Sequence, residues 1–112
     1  MAETFKNCRL VCTTSNQAIY TAPGTSGGRE RAVVFNIQVA NVGVASRTVT
    51  VEWQDASAAL ASTRLVNTLT VPVGSAVNIL GGKTVLEAAD TIRALASANT
   101  DVEITVSLIE IT

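Results

Sequence analysis

The chain has no histidine. That removes the usual general base at neutral pH and the Ser-His-Asp type of triad, and it leaves Cys8 and Cys12, the only thiols, as a poor basis for a zinc site. Charge is also scarce, at 15 % of residues against roughly 25 % in an average soluble protein. The net charge is −1 and the eight Lys and Arg are scattered singly, so there is no basic stripe for a phosphate backbone. Nucleic acid is therefore not an expected partner. Apolar runs are only a few residues long, too short for a membrane-spanning helix. The opening MAETFKNCRLVCTTSN lacks a basic region followed by an apolar stretch and a small-residue cleavage site. The expectation is a soluble chain made in a cytoplasm without a signal peptide. Aromatics are limited to Phe5, Tyr20, Phe35 and Trp53, so the core has to be built from Val, Ile, Leu and Ala.

The remaining catalytic constellations are missing too. There is no G-x-x-x-x-G-K-[ST] phosphate loop, and the nine acids are dispersed rather than spaced as metal ligands. Glu87 and Asp90 come nearest to a carboxylate pair, and their simpler reading is a turn aspartate bonding its own backbone beside a solvated glutamate. The chain is expected not to be an enzyme and to need no cofactor or metal. If NCRLVCT is a strand, Cys8 and Cys12 share a face about 13 Å apart at roughly 3.3 Å per residue, beyond disulfide reach. They read as small buried hydrophobes.

What the sequence has in abundance is alternation. In RAVVFNIQVANV the residues Val33, Phe35, Ile37 and Val39 are expected to face the core, and in RTVTVEW Val49, Val51 and Trp53 do the same. With Gly43 in the short loop between them, the two runs read as a hairpin. Two strands flanking APGTSGGRE read as another. QDASAALAST is a connection with room for one helical turn, Pro72 falls at a strand end, and residues 76–80 form a short strand. VLEAADTIRALAS has helix-favouring residues, but its Gly-Gly and Ser-Ala-Asn-Thr-Asp punctuation fits a bend at 87–90 and a strand at 91–97. In VEITVSLIEIT the alternation slips at Leu108, which implies a bulge there or burial of both faces.

About seven to nine short, mostly antiparallel strands with turns every eight to twelve residues specify an all-β, single-domain β-sandwich, immunoglobulin-like or jelly-roll. The domain is expected to span residues 1–112, with 1–6 as an extended N-terminal arm. Elements dispensable to the core are candidate contacts with other proteins: the loop residues Gly24, Thr25, Ser26 and Arg29, then Arg31, and Ile109 and Ile111 beyond the slip. Low surface charge leaves strand edges poorly protected against pairing, so a homo-oligomer is expected.

Four motifs carry a resemblance. They are Tyr-Thr-Ala-Pro at Tyr20 to Pro23, V-x-N-x-G at Val39 to Gly43, Leu-Glu-Ala-x-Asp at Leu86 to Asp90, and Ser-Leu-x-Glu at Ser107 to Glu110. With them, the stretch from Ile19 onward resembles small β-sandwich structural proteins of tailed-bacteriophage virions. The resemblance implies a capsid decoration, neck or tail-associated subunit that binds other virion proteins and itself, with no nucleic acid or membrane partner, in a particle assembled in the host cytoplasm. The alternative left open is an immunoglobulin-like or carbohydrate-binding adhesion module using Trp53, Tyr20 and the Gly-rich loop to contact the host surface.

Overall fold

The computed structural model describes residues 3–24 and 30–112. Nine strands follow in order: β1 Glu3–Val11, β2 Gln17–Thr21, β3 Arg31–Asn41, β4 Arg47–Asp55, β5 Ala61–Val71, β6 Ala76–Asn78, β7 Thr84–Leu86, β8 Thr91–Ala96 and β9 Val102–Ile111. A single 3-10 turn, Ala56–Ala58, is the only helical element among the described residues. The first sheet runs β1-β9-β3-β6, with β7 also on β3, and the second runs β2-β8-β4-β5. Every pairing is antiparallel. With β6 and β7 sharing one strand position, the sheets read β1-β9-β3-β6/β7 and β2-β8-β4-β5, the jelly-roll pattern of two Greek keys.

The core between the sheets is aliphatic. Val34, Ile37, Val39, Val49, Val51, Val71, Leu86, Ile92, Ile104 and Leu108 are fully enclosed, as period-two alternation on facing sheets requires. Cys12 joins them and Cys8 packs against them, both as free thiols.

Both expected hairpins are corrected. β2 and β3 lie in different sheets, and so do β3 and β4; alternation marks a buried face but does not name the neighbouring strand. The crossing from β3 to β4 is held by the buried Asn41. Its Nδ2 donates to the carbonyls of Ala45 (2.8 Å) and Val71 (2.9 Å), and its Oδ1 accepts from the Gly43 N–H (2.9 Å). Gly43 is required there by proximity, since a Cβ would stand 2.4 Å from Asp101 Cγ, and that carboxylate is engaged by Arg47 at 2.7 Å. The true hairpin is β4–β5, joined through the 3-10 turn Ala56–Ala58 and then Ala59 and Leu60, whose left-handed φ values of 58° and 64° return the chain into β5.

Parity in β3 is also corrected. A register shift between Val34 and Asn36 opposite β9 inserts Phe35 as an extra residue. The core positions are thus Ala32 and Val34 before the bulge and Ile37 and Val39 after it, which turns Val33 and Phe35 outward. The slip read at Leu108 is the second of its two readings, burial of both faces, since Leu108 is enclosed on the inner one. β9 itself keeps an unbroken register with β1, and Ile109 is enclosed on the outer face. The expected arm is likewise replaced by structure from Glu3 onward, because Glu3 to Lys6 is the first half of β1, paired with Ile111 to Leu108. The bend at 87–90 and the strand after it are as expected.

Candidate functional site

The carboxylates of Asp55, Glu87 and Asp90 converge, with one oxygen of each within 4.8 Å of the others. Their hydrogen bonds explain why. Asp90 is fully buried and accepts from Trp53 Nε1 (3.1 Å), the Ala56 N–H (3.0 Å) and the Glu87 N–H (3.0 Å). Asp55 caps the 3-10 turn through the Ser57 N–H (3.0 Å). The exposed Glu87 carboxylate lies 3.9 Å from Arg31. The cluster locks the turn before β8 onto the end of β4. It also fixes Trp53, whose only polar atom is committed inward.

A second polar group sits at the same end of the sandwich. Glu110 continues the inward parity of β9, where an apolar residue was due, and accepts from Tyr20 Oη at 2.5 Å while lying 3.1 Å from Lys6 Nζ. The phenol's bond draws the Glu110 carboxyl below its ordinary range and outweighs the opposing effect of burial, with Lys6 helping. Burial first, and the carboxylate second, push the Tyr20 phenol well above its ordinary range. A carboxyl depressed in the native state stabilises the fold above its unfolded pKa, roughly 4.3, and loses that contribution as pH falls through the depressed native value. Tyr20→Phe should therefore lower stability at pH 7 by about 1.5–3 kcal/mol, the range for hydrogen bonds to charged groups, and by clearly less at pH 3. Urea unfolding at the two pH values measures this, and an equal loss at both would contradict the coupling.

Three of the residues expected to make contacts are brought together on the outer face of the first sheet. Arg31 is paired with Ile111, and Ile111 with Glu3, in one cross-strand row. The next row is Phe5, Ile109, Val33 and Val85, from β1 through β9 and β3 to β7. Phe35, displaced by its bulge, brings its ring to 6.1 Å from that of Phe5. Ile109 lies between the strands that carry them and keeps only 9 % of its surface. The other expected contacts fall elsewhere. Gly24 packs against Ala89, where a Cβ would meet Ala89 Cβ at 2.9 Å, and Thr25, Ser26 and Arg29 lie outside the described residues.

Sequence reasoning missed Phe5, which is 76 % exposed, along with Val85 and Phe35. A signal existed for Phe5. Its parity groups it with Asn7 and Arg9 rather than with Cys8 and Leu10, which makes it a lone aromatic on a polar face. Phe35 had no such signal, because only the bulge turns it outward.

The sheet edges differ in regularity. β5 carries two register shifts against β4, β2 has five residues and one shift, and β6 and β7 have three residues each. β1 is paired over all nine residues without irregularity. The Cys12 N–H donates to the Val102 carbonyl at 2.8 Å, which sets the phase of the ladder: even-numbered residues of β1 bond β9, and Phe5, Asn7 and Arg9 turn their backbone groups away from it. The result is one long, regular edge that no other strand among the described residues pairs with.

A jelly-roll sandwich with an apolar outer row and a regular open edge is the class of protein that fold and surface define. No family model matches the chain and no curated protein matches it. Solved structures that share its fold include the following two. One comes from Bacillus endospore appendages, described as disulfide-linked pili, with TM-score 0.58, 14 % identity, and coverage of 99 % of this chain and 87 % of that one. The other comes from the T13 particle of the icosahedral virus IBDV, with TM-score 0.51, 8 % identity, and coverage of 96 % of this chain but 30 % of that one. Neither is a tailed-phage protein, and at these identities the likeness concerns the fold.

Proposed function

We propose that this chain is a non-enzymatic structural subunit of a tailed-phage virion, a capsid decoration or a head- or tail-associated protein, that binds other virion proteins and copies of itself. The observation that carries the reading is the nine-residue regular edge of β1 on a domain with 15 % charged residues. An uncovered, unbulged strand of that length is a template for another strand, by the β-augmentation that joins many assembling proteins. The fold's occurrence in an appendage and in a viral particle supports an assembling role, and the four sequence motifs support the phage setting. Glycan stacking finds less support, because Trp53 and Tyr20 both commit their side-chain polar atoms to carboxylates of the chain itself, those of Asp90 and Glu110.

The test is quantitative mass spectrometry of purified particles produced from the genome that encodes the chain. Many copies per particle, retained through density-gradient purification, are expected. Complete absence from particles would overturn the virion assignment.

A further inference from the structure

The outer face of the first sheet has a property that a single copy does not use. Its apolar row, Phe5–Ile109–Val33–Val85, is flanked on one side by a row with an acid at one end, a base at the other and Ile111 between them: Glu3–Ile111–Arg31. On the other side Asn7, Ser107 and Asn36 form a polar row. Phe5, Phe35 and Val85 remain 76 %, 37 % and 56 % exposed. A contiguous apolar strip with a polar rim marks a protein contact.

We propose that this face docks onto the same face of a second copy of the chain, forming a two-fold symmetric pair. The inference deepens the structural reading above, and rests on it, by naming one partner and one surface. The pattern of charge selects a second copy as the occupant. In an isologous contact the surface must complement itself. A two-fold axis running along β9, midway between the facing sheets, sets Ile111 against Ile111 and the row through Ile109 against its own copy, with the Phe5 and Phe35 rings between them. The same axis sets Phe5 against the partner's Val33 and Glu3 against the partner's Arg31. The β1 side is thus acidic where the β3 side is basic, one strand position to either side of the axis. Arg31 also lies 3.9 Å from Glu87 at its own edge and donates to the Glu30 carbonyl at 2.8 Å, so the partner's Glu3 would join acceptors already gathered around one five-donor guanidinium. The bulge at Phe35 adds a ring to the apolar strip, and the inherent twist of facing sheets splays them apart farther along β9, which keeps Glu103 clear of its own copy. The contact is small beside a standard interface of about 800 Å² per partner, so the pair is expected to be weak in isolation and strengthened by repetition in an assembly.

Sedimentation equilibrium over a wide concentration range tests this with charge exchange. Wild type should dimerise reversibly. Glu3→Arg alone sets a base opposite each Arg31, and Arg31→Glu alone sets an acid opposite each Glu3, so each should weaken the dimer at least tenfold while near-UV circular dichroism stays native. An equimolar mixture of the two variants should dimerise again, and so should the Glu3→Arg/Arg31→Glu double variant. Phe5→Ser should weaken the wild-type dimer without rescue by either. A wild type that stays monomeric, single variants that dimerise as wild type does, or folded variants whose mixture stays monomeric would each overturn the proposal. The virion reading has its own readout, since abundant incorporation into particles by a protein monomeric in solution would reject this face and leave that reading standing.

Discussion

Replacing Asp90 with Ala should cost the protein about 3–5 kcal/mol, much of what holds a domain of this size together. Asp90 has no exposed surface, and its two oxygens serve three separate N–H donors: the Trp53 indole, the Ala56 backbone and the Glu87 backbone. Truncation leaves all three donors unpaired in a part-buried corner, and each donor left unsatisfied costs up to about 1–3 kcal/mol. The cost is more than local, because these bonds join the end of β4, the 3-10 turn and the turn before β8. Asp90→Asn retains one carbonyl acceptor and should lose about half as much. Urea unfolding followed by Trp53 fluorescence measures both, and a loss below about 1 kcal/mol for the alanine variant would show that the corner does not depend on this side chain.

The second large effect is expected on assembly rather than on folding. Arg9 is exposed and, by the phase of the β1–β9 ladder, turns its N–H away from β9. Arg9→Pro removes that outward donor and sets a ring where an incoming strand would lie, without breaking a bond to β9. Proline is tolerated on the solvent side of an edge strand, so stability should change by no more than about 1 kcal/mol. Incorporation into particles should fall at least tenfold. A proline-bearing protein that assembles as well as wild type would show that β1 does not receive a partner strand. The variant leaves Glu3, Phe5 and Ile109 in place, so edge pairing and the two-fold face contact can be lost independently.

Much of this architecture was legible because turn chemistry and period-two burial are local. The stretch around 87–90 could be read as a bend despite its helix-favouring composition, with a turn aspartate bonding local backbone, and the structure supplies the Glu87 N–H as one of its donors. The inward apolar sets of β4 and β9 followed from alternation in the same way. What stayed hidden depends on contacts distant in sequence. Alternation in β3 and β4 is identical whether they pair in one sheet or face each other across a core, and the choice is made by Asn41 reaching the Val71 carbonyl, thirty residues away. The bulge at Phe35 is set by register against β9, which is seventy residues downstream, so no local pattern announces it. Ile109 was recognised as out of phase, but the rings that cover it come from β1 and β3. The part of the face that sequence exposed was its centre, Ile109 and Ile111 with Arg31, and the part it concealed was the aromatic cover.

Hydrogen–deuterium exchange compared between the isolated protein and its particle-bound form tests edge-mediated assembly most directly. In the isolated protein the outward amides of β1, at Phe5, Asn7 and Arg9, should exchange rapidly while the even-numbered amides are protected by β9. On assembly those three amides should become protected. Unchanged rapid exchange along β1 in a protein shown to be particle-bound would contradict it.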